Sequence, residues 1–77
     1  MSTLDRREFI VTVPPEISGD VLGSKEYAKE RAVVLLSKNG MYPVGDWNFY
    51  QITGEAGGHR SMYFTVEAAP KVQLSLL

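Results

Sequence analysis

The chain has 77 residues, 44% of them hydrophobic and 22% charged, with a formal net charge of -1 and no cysteine. This composition predicts one folded domain over residues 1–77 and excludes the low-hydrophobicity, high-charge class of disordered chains. The near-neutral charge argues against binding by neutralisation of many phosphates. The lack of cysteine excludes disulfides, thiolate metal sites and thiol nucleophiles.

Membrane and export signals are also missing from the sequence pattern. The N-terminal residues lack the apolar run of a signal peptide, and no stretch approaches the roughly 20 apolar residues of a membrane span. We therefore expect a cytoplasmic protein that does not enter a membrane.

The first periodic segment predicts a β-strand over residues 8–13. Two alternating sets of side chains occupy its two faces, namely Phe9, Val11, Val13 and Glu8, Ile10, Thr12. Pro14 and Pro15 end the strand because proline cannot donate to a sheet ladder. The proline pair predicts a loop over residues 14–23.

A helix is predicted next, with Ser24 as its N-cap and Asn39-Gly40 as its left-handed end. Apolar residues at helical spacing predict a buried stripe of Ala28, Ala32, Leu35 and Leu36. Val33 falls on the polar side and is expected to be an exposed surface residue.

Two aromatic-rich strands are predicted after the helix, over residues 47–52 and 61–66. A turn-rich connector over 41–46 leads into the first of them, and the glycine-rich segment 54–60 joins the two as a hairpin. The terminal stretch 71–77 again alternates apolar and polar residues. A fourth strand at a sheet edge and a frayed terminus both fit that pattern.

The order of elements predicts an α+β fold, with a single helix packed on one face of a three- to four-stranded, mostly antiparallel sheet. The arrangement is β-α-β-β, to which the terminal stretch adds a fourth strand if it pairs with a sheet edge and none if it is frayed. Handedness favours the strand order 1-3-2, and direct parallel pairing of the first two strands is the alternative.

One helix covers only one face of such a sheet. Alternation assigns Phe9, Val11, Val13, Trp47, Phe49, Met62, Phe64 and Val66 to the covered face. It leaves Ile10, Thr12, Asn48, Tyr50, Ile52, Tyr63, Thr65 and Glu67 on the other. Three interpretations of the uncovered face remain open: a tyrosine pair that stabilises the hairpin, a surface for a protein partner or a second copy, and base stacking on an open sheet.

The glycine-rich segment carries the only histidine, His59, beside Arg60. Backbone amides and a cation can capture an anion, but the segment lacks the glycine spacing and following helix of a phosphate loop. A solvated hairpin loop is the simpler interpretation. No nucleophile elbow surrounds Ser61, and one histidine without cysteine offers no ligand cluster. We therefore predict no catalytic residue, no metal, no cofactor and no enzymatic activity.

These observations predict a non-enzymatic interaction protein that binds another macromolecule, in the first instance a protein. The predicted contact residues are Tyr50, Ile52 and Tyr63 on the open face, with His59 and Arg60 at its rim. The size and organisation resemble accessory proteins of phages and mobile elements that act on host machinery. The alternative is a single-stranded nucleic-acid-binding domain that stacks bases on the two tyrosines, which the net charge disfavours. Homodimerisation is a further option.

Overall fold

The computed structural model describes residues 4–71. Its elements are β1 (Asp5–Val13), α1 (Pro15–Ser18), α2 (Val21–Lys38), β2 (Met41–Gly54), a single 3₁₀ turn (Ala56–Gly58) and β3 (Arg60–Pro70). The strands form an antiparallel sheet in the order β1-β3-β2, and α2 packs on one face. The predicted α+β fold and strand order are confirmed. Of the strand predicted over 71–77, only Lys71 is described, and it belongs to no strand. Residues 72–77 lie outside the described residues.

The helical region begins earlier than predicted, and the loop predicted over residues 14–23 is wrong, because α1 and the first turn of α2 lie within it. Pro15 opens the short helix α1, where its missing N–H and fixed φ cost nothing. Asp20 is the N-cap of α2, because its carboxylate accepts a hydrogen bond from the Leu22 N–H at 3.2 Å. The prediction of Ser24 as N-cap is therefore wrong: Ser24 lies inside α2, fully buried, and its hydroxyl donates to the Ile17 carbonyl at 3.4 Å. The predicted end is correct, since α2 stops at Lys38 and Gly40 has φ +70°.

The buried stripe of α2 consists of residues four apart, Ser24, Ala28, Ala32 and Leu36. Leu35, which periodicity assigned to this stripe, is 39% exposed, so that assignment is wrong. Two alanines at the centre of the stripe bring the helix backbone close to the sheet. Val33 is exposed, as predicted.

Phe64 on the central strand is the middle of the core and is completely buried. Three rings surround it, with centroids 5.5 Å away for Phe9, 5.8 Å for Trp47 and 4.6 Å for Phe49. Edge strand β1 thus contributes one aromatic ring to the space beneath α2, and edge strand β2 contributes two. The predicted inward set of the three strands is confirmed for this cluster.

β2 begins at Met41, so the turn-rich connector predicted over 41–46 is wrong. β2 is an edge strand, where the missing N–H of Pro43 needs no partner. The predicted turn residues instead lie in an irregular part of the strand. Between Pro43 and Trp47, β2 advances four residues while β3 advances two, from Ala68 to Val66. The bulged segment keeps the inward side chains in phase because the insertion is even.

Candidate interaction surface

The face of the sheet opposite α2 is not covered by any element of residues 4–71, and we call it the open face. Residues directly opposite each other in an antiparallel pair share a face, so the register defines its members. They are Arg6, Glu8, Ile10 and Thr12 of β1, Ser61, Tyr63, Thr65, Glu67 and Ala69 of β3, and Tyr42, Asn48, Tyr50, Gln51 and Thr53 of β2.

A second irregularity in β2 shapes the centre of the open face. Phe49 pairs with Phe64 and Gln51 pairs with Tyr63, so that Tyr50 is an extra residue. In such a bulge two consecutive residues oppose one partner, and here both Tyr50 and Gln51 lie against Tyr63. The Tyr50 and Tyr63 rings have centroids 6.3 Å apart at an interplanar angle of 52°, which is within the range of favourable aromatic pairs.

The same bulge changes the face of Ile52. An inserted residue shifts the alternation by one, so every later side chain on that strand changes sides. Ile52 therefore pairs with the fully buried Met62 and lies on the helix side, 37% exposed. Its assignment to the open face is wrong, and the sequence carries no sign of the bulge that causes the error.

Tyr50 is held in place by a hydrogen bond that crosses the sheet. Its hydroxyl donates to the carboxylate of Glu8 on β1, reaching over the central strand from the opposite edge. This hydrogen bond, together with partial desolvation and the Glu8 charge, raises the pKa of the Tyr50 phenol above 10.0. The sequence did not predict this role for Glu8, because Glu8 and Tyr50 are 42 positions apart and the β1-β3-β2 strand order brings them together.

The raised pKa of Tyr50 has a consequence at alkaline pH. A folded-state pKa above the unfolded one stabilises the native state fully below pH 10, and this stabilisation is lost as pH rises through the folded pKa. We expect Glu8→Gln to lower the pKa of Tyr50 toward 10.0, measured by NMR titration of the Tyr50 ring, whereas Glu67→Gln leaves it unchanged. Equal Tyr50 pKa values in the wild type and Glu8→Gln would contradict the cross-sheet hydrogen bond.

Three apolar side chains form a row across all three strands. Ile10 pairs with Tyr63, and Tyr63 lies beside Tyr50. We call these three residues the aromatic row. Ile10 is 63% exposed and Tyr50 is 48% exposed. Ile10 was placed on the open face by alternation but was not predicted as a contact residue, although its position beside Tyr63 follows from the 1-3-2 order.

A shallow cavity of ≈ 310 Å³ opens beside this row, where β2 bulges. Its charged lining comprises Arg6, Asp46 and Glu67, and Asn48, Thr65 and Val66 complete it. Gly45 permits the bulge to approach β3, because a Cβ there would lie 3.1 Å from Glu67 Oε1 and 3.3 Å from its Cβ. With Glu8, and with Glu55, whose carboxylate accepts a hydrogen bond from the Ser61 hydroxyl, four carboxylates and one guanidinium occupy this side of the sheet.

The loop residues predicted at the rim lie elsewhere. Arg60 pairs with buried Val13, on the helix side, and its Nε donates to the Ser18 carbonyl at 2.8 Å. It thereby anchors the β2-β3 loop to α1. His59 is exposed in that loop, beyond Gly57 and Gly58, whose φ angles of +81° and +84° suit glycine. Of the five predicted contact residues, the structure brings together two, Tyr50 and Tyr63.

Comparison with protein families, with curated proteins and with solved structures finds no match to this chain. Among residues 4–71 no helix has the length and apolar character needed to cross a membrane. The same residues contain no group of three or more His, Asp or Glu side chains placed to hold a metal ion. The case for a function therefore depends on the geometry of the open face.

Proposed function

We propose that this chain is a non-enzymatic interaction protein that binds another protein through its open face. The observation that carries the proposal is the aromatic row, since exposed Ile10 and Tyr50 lie on either side of half-buried Tyr63 on three adjacent strands, and no element of residues 4–71 lies above them. Tyrosine is enriched at the energetic centres of protein interfaces, where it contributes large contact area with few rotatable bonds. Polar residues surround the row in the manner of an interface rim.

The hydrogen bond to Glu8 supports this role for Tyr50. An exposed tyrosine ordinarily loses rotamer freedom when a partner covers it, and ordering a side chain costs about 0.5–1.5 kcal/mol. Tyr50 is already restrained by Glu8 on one side and by the Tyr63 ring on the other. The row is thus arranged for contact before a partner arrives.

The charges of the open face define the kind of partner. Glu8, Asp46 and Glu67 outnumber Arg6, and Asp46 and Glu67 line the cavity next to the row. This distribution favours a protein that presents an apolar segment with an adjacent Lys or Arg side chain. It disfavours single-stranded nucleic acid, whose phosphates would meet the same carboxylates.

The proposal includes the cytoplasmic location and the phage or mobile-element origin predicted from the sequence. In that setting the partner is a component of host machinery. Identification of the partner checks this part of the proposal directly.

The test is a capture experiment followed by a binding measurement with the purified partner. We expect Tyr50→Ala combined with Tyr63→Ala to weaken the partner's affinity at least about tenfold, which corresponds to about 1.4 kcal/mol. Tyr42→Ala is the matched control: Tyr42 is a similarly exposed tyrosine of β2 that lies opposite Ala69 at the far end of the open face, outside the row, and its loss is expected to change affinity much less.

Two results would overturn the proposal. One is full partner affinity in the double variant. The other is a low-salt NMR titration in which single-stranded RNA or DNA shifts the Tyr50 and Tyr63 amides and the double variant abolishes the shift, since base stacking would then be the function of the row. Thermal unfolding of each variant separates lost binding from lost folding.

A further inference from the structure

The two edges of the sheet differ in how well they are protected from pairing with another strand. The edge of β2 contains Pro43 and two irregularities, which interrupt any ladder along it. β1 is paired with β3 in unbroken register over all nine residues, without proline or bulge. Its second half, Phe9–Val13, also lacks charge. Among residues 4–71 no strand pairs with the outer edge of β1, and a regular, uncharged edge of this kind can present N–H and C=O groups to a further strand.

We propose that two copies of this chain pair edge to edge through β1, antiparallel about a two-fold axis at Ile10. The two sheets then form one continuous six-stranded sheet with both helices on the same side. In this register Ile10 faces Ile10 of the other copy and Phe9 faces Val11. Farther out, Glu8 faces Thr12 and Arg7 faces Val13. Because β1 ends at Val13, this register has seven residue pairs along the interface.

Charge and strand length disfavour the neighbouring registers. Both open faces lie on the same side only if opposed residues have the same parity, so the axis must pass through a residue. An axis at Arg7 opposes two guanidiniums, and an axis at Glu8 opposes two carboxylates, which is destabilising. An axis at Phe9 would give nine pairs but opposes Glu8 to Ile10 on either side of the axis, whereas the Ile10 axis opposes only apolar residues at its three central positions. An axis at Val11 leaves only five pairs before Pro14 ends the strand.

The Ile10 register also accounts for the most exposed apolar side chain of the sheet. Ile10 is 63% exposed in the single copy and becomes covered by its equivalent at the axis. Because Ile10 already pairs with Tyr63, the two aromatic rows join into one row of six side chains across six strands. The cross-sheet hydrogen bond draws Glu8 toward β2 and away from the new interface.

Engineered cysteines test the pairing in the absence of any partner, so the result is independent of the proposed function. The chain contains no cysteine. Opposed residues in an antiparallel pair have Cβ atoms about 4.5–5.5 Å apart, close to the separation that a disulfide spans. We expect Ile10→Cys to form a covalent dimer under mild oxidation at least about ten times faster than Gln51→Cys, which lies exposed on the other edge strand.

Sedimentation velocity provides the second measurement. The wild type and Gln51→Lys are expected to sediment at twice the chain mass at high concentration, whereas Ile10→Lys, which opposes two ammonium groups at the axis, remains monomeric. A monomeric wild type from micromolar to millimolar concentration would overturn the proposal. Equal cross-linking rates for Ile10→Cys and Gln51→Cys would also overturn it, and this comparison remains decisive should Ile10→Lys fail to fold.

Discussion

Phe64→Ala is expected to lower the free energy of unfolding by about 3–5 kcal/mol. Phe64 is completely buried on the central strand, and its ring contacts those of Phe9, Trp47 and Phe49. Truncation removes the transfer free energy of one ring and leaves a cavity that three large rings cannot close without leaving their rotamers. Typical stabilities of about 0.05–0.15 kcal/mol per residue imply only roughly 4–12 kcal/mol for 77 residues. The variant is therefore expected to be near the limit of folding.

Urea denaturation followed by Trp47 fluorescence measures this loss. Phe64→Leu is the graded control, since it keeps an apolar side chain at the site and is expected to lose less than Phe64→Ala. The slope of the transition should be unchanged if both variants unfold in two states. A loss below about 1 kcal/mol for Phe64→Ala, typical of a surface substitution, would show that the three surrounding rings are not organised around Phe64.

The central position of Phe64 explains how this small sheet serves two purposes. Successive side chains of β3 point to opposite faces. Phe64 therefore packs against the aromatic rings beneath α2, whereas its neighbour Tyr63 lies on the open face. One strand thus supplies the centre of the core and the centre of the candidate interaction surface. Substitutions on its two faces should separate stability from binding.

Much of this architecture follows from local pattern. The period-two alternation of β1 and β3 places Val11, Val13, Met62 and Phe64 in the core, because a strand with one buried face tolerates no shift by one residue. The 1-3-2 strand order follows from the hairpin and the handedness of the connection before it. The helix end at Asn39-Gly40 follows from the left-handed conformation that glycine adopts readily.

The errors share a physical cause, namely competition between local signals and long-range contacts. Ser24 is a good N-cap in isolation, but burial against α1 makes its hydroxyl a donor to Ile17, and Asp20 caps the helix instead. The bulge at Tyr50 moves Ile52 to the covered face, and no glycine or proline at the bulge indicates its presence in the sequence. Arg60 was expected to be free for binding, yet the Ser18 carbonyl accepts from it.

The candidate surface was predictable only in part for the same reason. Tyr50 and Tyr63 follow from alternation and the hairpin, which are local. The restraint of Tyr50 by Glu8 and the cavity between Arg6, Asp46 and Glu67 both depend on contacts between strands far apart in sequence. Composition and spacing therefore locate the surface, whereas its charge pattern requires the folded sheet.

Ala32→Leu is expected to lower the free energy of unfolding by about 1–3 kcal/mol. Ala32 is fully buried and belongs to the same cluster as Ala28, Met62 and Phe64. A leucine there adds three carbon atoms between α2 and the sheet, so the helix must move outward or the core must adopt strained rotamers. Helix propensity does not offset this cost, because leucine is no better than alanine in a helix.

Val33→Leu is the matched control for Ala32→Leu, since the adjacent residue is exposed on the same helix and should change stability by less than about 0.5 kcal/mol. Equal stabilities of the two variants would contradict close packing of α2 on the sheet. Ala32 and the aromatic row lie on opposite faces of the sheet. While it remains folded, Ala32→Leu should consequently retain partner binding that Tyr50→Ala with Tyr63→Ala loses, which separates the face that maintains the fold from the face proposed to recognise the partner.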